Sequence, residues 1–198
     1  LSEMLVICGH PDLESSRVNR AVVSALRTDN AITLHILAEN FANHQFDVAA
    51  EQDRLTHHNR IVLLFPMYWY SCPALMKQWI DDVFTPGFAY ARNGDKLRDK
   101  EFLVVTTIGA PESAYRASGF NNHTVDELLR PLQQTVCYIR ARYLGAFSAY
   151  ESVFIDDVAL VEAVDKIMVE IKRSYDTSAR AYEELLCKAE SAGISLIQ

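Results

Sequence analysis

Three stretches of this chain carry side chains whose types and order suit ligand chemistry. The first is Gly9-His10-Pro11-Asp12-Leu13-Glu14-Ser15-Ser16-Arg17-Val18-Asn19, which offers hydroxyls, an amide and an arginine where a helix is predicted to begin. Free N–H groups and the helix dipole favour an anion at such a start, so a phosphate fits there without a lysine. Capping by Ser15 or Ser16 accounts for the same hydroxyls, and His10 taken alone reads as a solvated loop histidine.

The second stretch, Pro66-Met67-Tyr68-Trp69-Tyr70-Ser71-Cys72-Pro73, puts three consecutive aromatics just after a strongly apolar run. A loop there ordinarily prefers polar residues. Large planar side chains with exposed N–H groups suit a flat heteroaromatic ligand, a flavin ring being the natural candidate. The alternative is an aromatic lid on the core or a protein contact patch. The third stretch runs from Thr106 and Thr107 through Ile108 and Gly109 to Tyr115 and Arg116. Its hydroxyls and glycine allow close backbone approach, and Tyr115 can present a phenol to a substrate. His123 reads equally as a proton donor or as an ordinary exposed histidine. Two other nucleotide chemistries fail. The seven glycines never fall two apart, so no GxGxxG exists, and there is no GxxxxGK[ST]. Phe65-Pro66-Met67 also lacks the aspartate a receiver-type phosphoacceptor needs.

These stretches must be positioned by regular elements. Met4–Cys8 and Ile61–Phe65 are continuous apolar runs, the pattern of strands buried on both faces. Ile32–Leu37, Phe102–Thr107 and Ala146–Phe154 are the other strand candidates, and Pro66 stops the third strand. Val18, Val22 and Leu26 recur at helical spacing. Asp47 can cap a helix carrying Val48 and Leu55, and Pro73 suits the first turn of a helix whose Leu75, Trp79 and Val83 share a face. Leu128–Tyr138 is helical in composition, with Pro131 at its first turn or a kink. From Asp157 to about Ala189 the spacing of Val161, Val164, Met168, Ile171, Tyr175, Tyr182 and Leu185 predicts one long helix. Its stripe packs on the sheet or extends into a dimer seam. Strands alternating with helices predict an α/β, flavodoxin-like three-layer sandwich with five parallel strands in the order 2-1-3-4-5. In that order the ligand site lies beyond the carboxyl ends of the strands, between the first and the third, where the three stretches fall.

The 198 residues suit a single domain. A net charge of −7, from 26 acidic and 19 basic residues, argues against nucleic acid as partner. The longest apolar run, Ile61 to Pro66, is far below the roughly 18 residues a membrane span needs, and no secretory leader is read at the start. Cys8, Cys72, Cys137 and Cys187 form no CxxC, so no metal site is expected. Cys8 and Cys137 read as buried thiols. A reducing cytoplasm is the simplest setting, where the sequon Asn122-His123-Thr124 has no consequence.

Taken jointly, the motifs resemble a known family. Gly9-His10-Pro11 with Ser16 and Asn19, Phe65 through Lys77, Trp79-Ile80-Asp81 and Gly87-Phe88-Ala89-Tyr90 are similar to NAD(P)H:quinone oxidoreductases. Pro111 through Arg116 and Leu129-Arg130-Pro131-Leu132 resemble its small bacterial branch, which includes general stress flavoproteins and ancillary subunits of glutathione-regulated potassium efflux, and Phe46-Asp47 followed by Ala49-Ala50-Glu51-Gln52 is a further family resemblance. The resemblance covers about residues 4–155. It implies a homodimer holding flavin non-covalently, FMN with FAD as the alternative, reduced by NAD(P)H and oxidised by a quinone in ping-pong order. It implies phosphate contacts at His10, Ser16, Val18 and Asn19, and ring contacts at Pro66, Met67, Tyr68, Trp69 and Tyr70. Thr106, Thr107 and Gly109 stand where larger relatives have Thr-Thr-Gly-Gly. Tyr115 and His123 stand for the residues that flank the substrate, with Asn122 nearer in another register. A potassium-efflux transporter as partner and a one-electron flavodoxin shuttle are the competing expectations.

Overall fold

A computed structural model of the chain describes residues 4–175 and 178–193, with the backbone alone at 178–181. Five strands, β1 (Met4–Cys8), β2 (Ile32–Ile36), β3 (Arg60–Pro66), β4 (Glu101–Thr107) and β5 (Arg142–Ala149), form one parallel sheet in the order β2-β1-β3-β4-β5. The expected architecture is therefore the observed one. Ile7 lies opposite Leu63, and Leu63 opposite Val104, so apolar side chains align across the three central strands.

Because strand side chains alternate between faces, each run divides into two cores. Leu5, Ile7, Leu63, Phe65, Phe102 and Val104 pack with Met76, Trp79 and Val83 of α3 (Ala74–Val83), Leu55 of α2 (Val48–Thr56) and Leu132 and Val136 of α5 (Arg130–Tyr138). Val6, Cys8, Val62, Leu64, Leu103 and Val105 pack with Val18, Val22, Val23 and Leu26 of α1 (Arg17–Arg27) and Ile167 and Ile171 of α6 (Asp157–Lys172). Each of these fully buried aliphatics contributes about 2 kcal/mol of transfer free energy. Asp47 caps α2 by accepting from Ala50 N–H at 3.1 Å. The expected Leu128–Tyr138 helix is divided into α4 (Val125–Leu128) and α5, with Pro131 in the first turn of α5.

Three expectations are corrected. The helix read as continuous from 157 to 189 is two helices, α6 and α7 (Ser178–Ser191); residues 176 and 177 lie outside the described residues. Arg173 leaves the helix at φ −58° and ψ 140°. Arg60 Nη1 takes the carbonyls of Ile171 and Arg173 at 3.0 and 2.7 Å, and its guanidinium lies 5.5 Å from the Tyr175 ring centroid. Tyr175 donates to Glu170 at 2.6 Å. The packed part of the stripe therefore ends at Tyr175, and Tyr182 and Leu185 of α7 are exposed.

The fifth strand starts four residues earlier than expected and ends at Ala149. Its pairing with β4 shifts register between Phe102 and Val104, and Gly145 takes φ +110° at this bulge. Val153 and Phe154, apolar enough to suggest a strand, are exposed in the following loop. Cys137, expected to be buried, is exposed at the end of α5, whereas Cys72 is buried with Cys8.

Candidate functional site

The loop after β1 is drawn tight against the sheet, with Gly9 N–H bonded to Leu64 O at 2.8 Å. His10 is buried rather than solvated. Its Nδ1 accepts from Asp12 N–H at 3.1 Å, which leaves the ring proton of the neutral form on Nε2 as a donor. Burial lowers the His10 pKa against the opposing charge of Asp12. Its ring stands edge-on to Tyr68, with centroids 6.3 Å apart, and so joins the first loop to the second.

Ser16 caps α1. Its Oγ accepts from Asn19 N–H at 3.3 Å and from Asn19 Nδ2 at 3.0 Å. Asn19 Nδ2 also donates to Thr107 Oγ1 at 2.8 Å, tying the start of α1 to the end of β4. Both hydroxyls act as acceptors in these bonds, so each keeps a proton to donate. Asn19 Oδ1 and Thr106 Oγ1 are buried without a partner. Val18 packs in the core, which limits its contribution to its N–H. Arg17 donates to Ile155 O and Asp157 on the loop after β5 and the start of α6.

The second loop is a tight turn. Pro66 closes β3, and Met67 N–H reaches Thr107 O at 2.9 Å. Tyr68 and Ser71 exchange both backbone hydrogen bonds, at 2.9 and 3.1 Å. Between them Trp69 has φ +47° and Tyr70 φ +67°. Left-handed conformations at both central positions are the mark of a type I′ turn, which ordinarily holds Asn-Gly. A bulky residue there costs about 1 to 2 kcal/mol each. Trp69 is 91% exposed, and Tyr68 and Tyr70 are partly so. Strain and exposed aromatics together are what a binding surface, not a core, requires.

The third loop is pinned to the chain after β5: Ile108 N–H to Ala149 O at 2.8 Å, and Ser152 N–H to Ile108 O at 2.9 Å. A Cβ on Gly109 would come within 3.0 Å of Val153. Beyond a short turn at 112–114 stands Tyr115, its ring 6.1 Å from that of Tyr150. Burial first, then Tyr70 and Tyr150, raises the Tyr115 pKa, so its phenol is a protonated donor at neutral pH. A cavity of about 820 Å³ extends from Tyr115 and Tyr150 past Phe154 along the open edge of β5 to α6.

The fold thus gathers Ser16, Asn19 and Thr107 at the start of α1, sets His10 against Tyr68 and brings Tyr70 near Tyr115. Thr106 and the Val18 side chain are buried beneath them. The N–H of His123 bonds to Asn121 O at 2.8 Å, just before Thr124, which forms a reciprocal cap with Glu127. The residue that reaches the aromatic turn is Asn121, whose Oδ1 accepts from the Tyr70 hydroxyl at 3.2 Å. Neither Asn121 nor Tyr150 stands out in the sequence. Tyr150 was hidden inside the misplaced fifth strand, and Asn121 depends on how a polar loop folds. Among the described residues, no group of three His, Cys, Asp or Glu side chains could hold a metal ion.

The model of a family described as having a flavodoxin-like fold matches residues 2–171. A Bacillus subtilis (strain 168) protein, an uncharacterized NAD(P)H oxidoreductase, is 43% identical over 171 residues, which is 86% of this chain and 98% of its own. The glutathione-regulated potassium-efflux system ancillary protein KefG of Cronobacter sakazakii is 37% identical over 150 residues, 75% of this chain and 81% of its own. The crystal structure of general stress protein 14 from Treponema denticola, in complex with FMN, superposes with a TM-score of 0.80 at 32% identity, covering 86% of this chain and 98% of that one.

Proposed function

The chain belongs to the family with the flavodoxin-like fold, and on that premise we propose that it is an FMN-dependent NAD(P)H oxidoreductase delivering two electrons to a flat, quinone-like acceptor. The observation that carries this reading is the Asn19–Thr107 hydrogen bond, which joins the α1 start and the β4 end into one cradle beside the strained aromatic turn. The residues fit the cofactor. Ser16 and Thr107 keep hydroxyl protons to donate, the first N–H groups of α1 have no helical acceptor, and buried Asn19 Oδ1 awaits a donor.

In this reading His10, Ser16 and the N–H of Val18 hold the phosphate, and Asn19, whose N–H donors are taken by Ser16 and Thr107, orients those two hydroxyls toward the cofactor. Pro66, Met67, Tyr68, Trp69 and Tyr70, with Thr107 and Gly109, enclose the ring, and Thr106 supports it from beneath. FMN, when bound, supplies reversible acceptance of a hydride. Tyr68, Trp69 and Tyr70 offer planar surfaces on which nicotinamide and acceptor stack in turn, so one cleft serves both and ping-pong kinetics follow. Tyr115 donates a hydrogen bond to the acceptor oxygen, and His123 is the further candidate for that part. FAD remains the alternative, requiring room for adenine.

We further infer a single flavin-binding domain acting as a cytoplasmic homodimer. The exposed Val153, Phe154, Val158 and Val161 beside the open edge of β5 support pairing. No helix among the described residues is long and apolar enough to cross a membrane. A second reading, an ancillary subunit of a potassium-efflux transporter, draws on the similarity to KefG.

The test is direct. Protein mixed with FMN and passed through a desalting column should retain about one flavin per chain and then oxidise NADPH in the presence of menadione. Failure to retain flavin overturns the proposal. Retained flavin without turnover, together with capture of a potassium-efflux transporter from membranes, favours the second reading.

A further inference from the structure

Resting on the oxidoreductase reading, we propose that the hydrogen bond from the Tyr70 hydroxyl to Asn121 Oδ1 is a latch that sets the width of the acceptor cleft. Asn121 is thereby a positioning residue that selects thin, planar acceptors. The bond joins two segments 51 residues apart. On one side is the aromatic turn, whose two central residues sit at positive φ and whose backbone is closed only on itself, Tyr68 to Ser71. Such a turn has a high-energy conformation to hold and gains from an external support.

The other side is a stiff mount. Asn121 N–H bonds to Ala114 O at 3.1 Å, Gly119 N–H to Arg116 O at 2.9 Å, and Asn122 N–H to Gly119 O at 2.9 Å. A Cβ on Gly119 would fall 2.4 Å from Ala114 O, so only glycine lets this segment fold back so tightly. Its far end is fixed by the Thr124–Glu127 reciprocal cap and by Val125, which is buried in the core.

Tyr115 leaves the same mount at its near end and lies close enough to Tyr70 for that phenol to help raise the Tyr115 pKa. One segment therefore carries both the group that faces the acceptor, Tyr115, and the group that holds the opposite wall, Asn121. The spacing between the Tyr70 and Tyr115 rings is fixed by a single bond, not by core packing, since Tyr70 is partly exposed.

The test compares the wild type with Asn121→Ala, Asn121→Asp and Tyr70→Phe. Aspartate keeps the accepting oxygen; alanine and phenylalanine each delete one partner. In flavin-free protein, time-resolved anisotropy reads Trp69, because the other tryptophan, Trp79, is buried and bonded to Glu51. Asn121→Ala and Tyr70→Phe should add a fast component that Asn121→Asp lacks. In FMN-loaded protein the ratio of kcat/KM for planar menadione to that for ferricyanide should fall about fivefold in Asn121→Ala, as for loss of one neutral hydrogen bond. The ratio should be restored in Asn121→Asp.

Should Asn121→Ala fail to fold, Tyr70→Phe, which removes one oxygen, carries the comparison. Unchanged anisotropy in both deletions, or an Asn121→Asp variant that behaves as alanine, overturns the latch. A wild type that binds no FMN overturns the oxidoreductase reading instead, and the anisotropy comparison still decides the latch.

Discussion

Trp79 Nε1 donates to Glu51 Oε2 at 2.8 Å inside the core, and the other oxygen of the same carboxylate lies 2.9 Å from His35 Nε2. This joins α2, α3 and β2 through one buried acid. Burial alone would raise the Glu51 pKa. Hydrogen bonds from His35 and Trp79, with the charges of His35 and Arg54, hold it below its ordinary 4.5.

A depressed carboxyl stabilises the fold above its unfolded pKa and loses that contribution as pH falls through the folded value. Urea midpoints of the wild type should therefore drop below about pH 4.5, and Glu51→Gln should flatten this part of the profile. Glu51→Ala, which orphans Trp79 and His35, should cost about 3 kcal/mol at neutral pH. Equal midpoints for the alanine variant and wild type would refute the network's role.

His10 adds a second loss of stability on acidification, beginning at a higher pH. Its folded pKa is lowered, chiefly by burial, so the unfolded chain takes up the proton first. Stability from His10 is complete above its ordinary 6.5 and is lost as pH falls through the lower folded value. Replacing His10 with glutamine should remove this component from a pH series of melting temperatures; an unaltered series would count against it.

Thr107→Val keeps the shape of the side chain and removes the acceptor for Asn19. A buried amide left short of a partner costs about 1 to 3 kcal/mol. FMN affinity, followed by flavin fluorescence quenching, should fall roughly tenfold or more on that basis. Unchanged affinity would separate Asn19 from the cofactor cradle.

The aromatic turn predicts a gain of stability with a loss of turnover. Converting Trp69 to asparagine and Tyr70 to glycine installs the residues a type I′ turn favours. Thermal melting should rise by the equivalent of about 1 to 2 kcal/mol, while menadione reduction falls at least tenfold. A double variant that melts lower would show that the aromatics stabilise the turn they occupy.

How far this could be read in advance follows from the kind of interaction. Met4–Cys8 and Ile61–Phe65 announce central strands because burial on both faces leaves no polar position. The order of strands then brings Ser16, Tyr68 and Thr107 together. Asn121 was beyond reach, because its place depends on Gly119 folding a polar loop back on Ala114. The tie from Arg17 to Ile155 and Asp157 is also not legible, because it spans about 140 residues of sequence. The break after Lys172 is equally hidden, since Tyr175 continues the helical spacing and the contacts that hold the chain where it leaves the helix come from Arg60 and Arg142 on two strands.

That turn at Arg60 has a practical side. Arg60 begins β3 and Pro66 ends it, so the seven residues between clamp and cleft span about 20 Å. The exposed Ser174, next to this clamp, lies at the pole of the molecule opposite the aromatic turn. A surface linker or fluorescent reporter attached there would leave the cleft facing outward, a polarity suited to immobilised electrodes and to probing acceptors too large to diffuse.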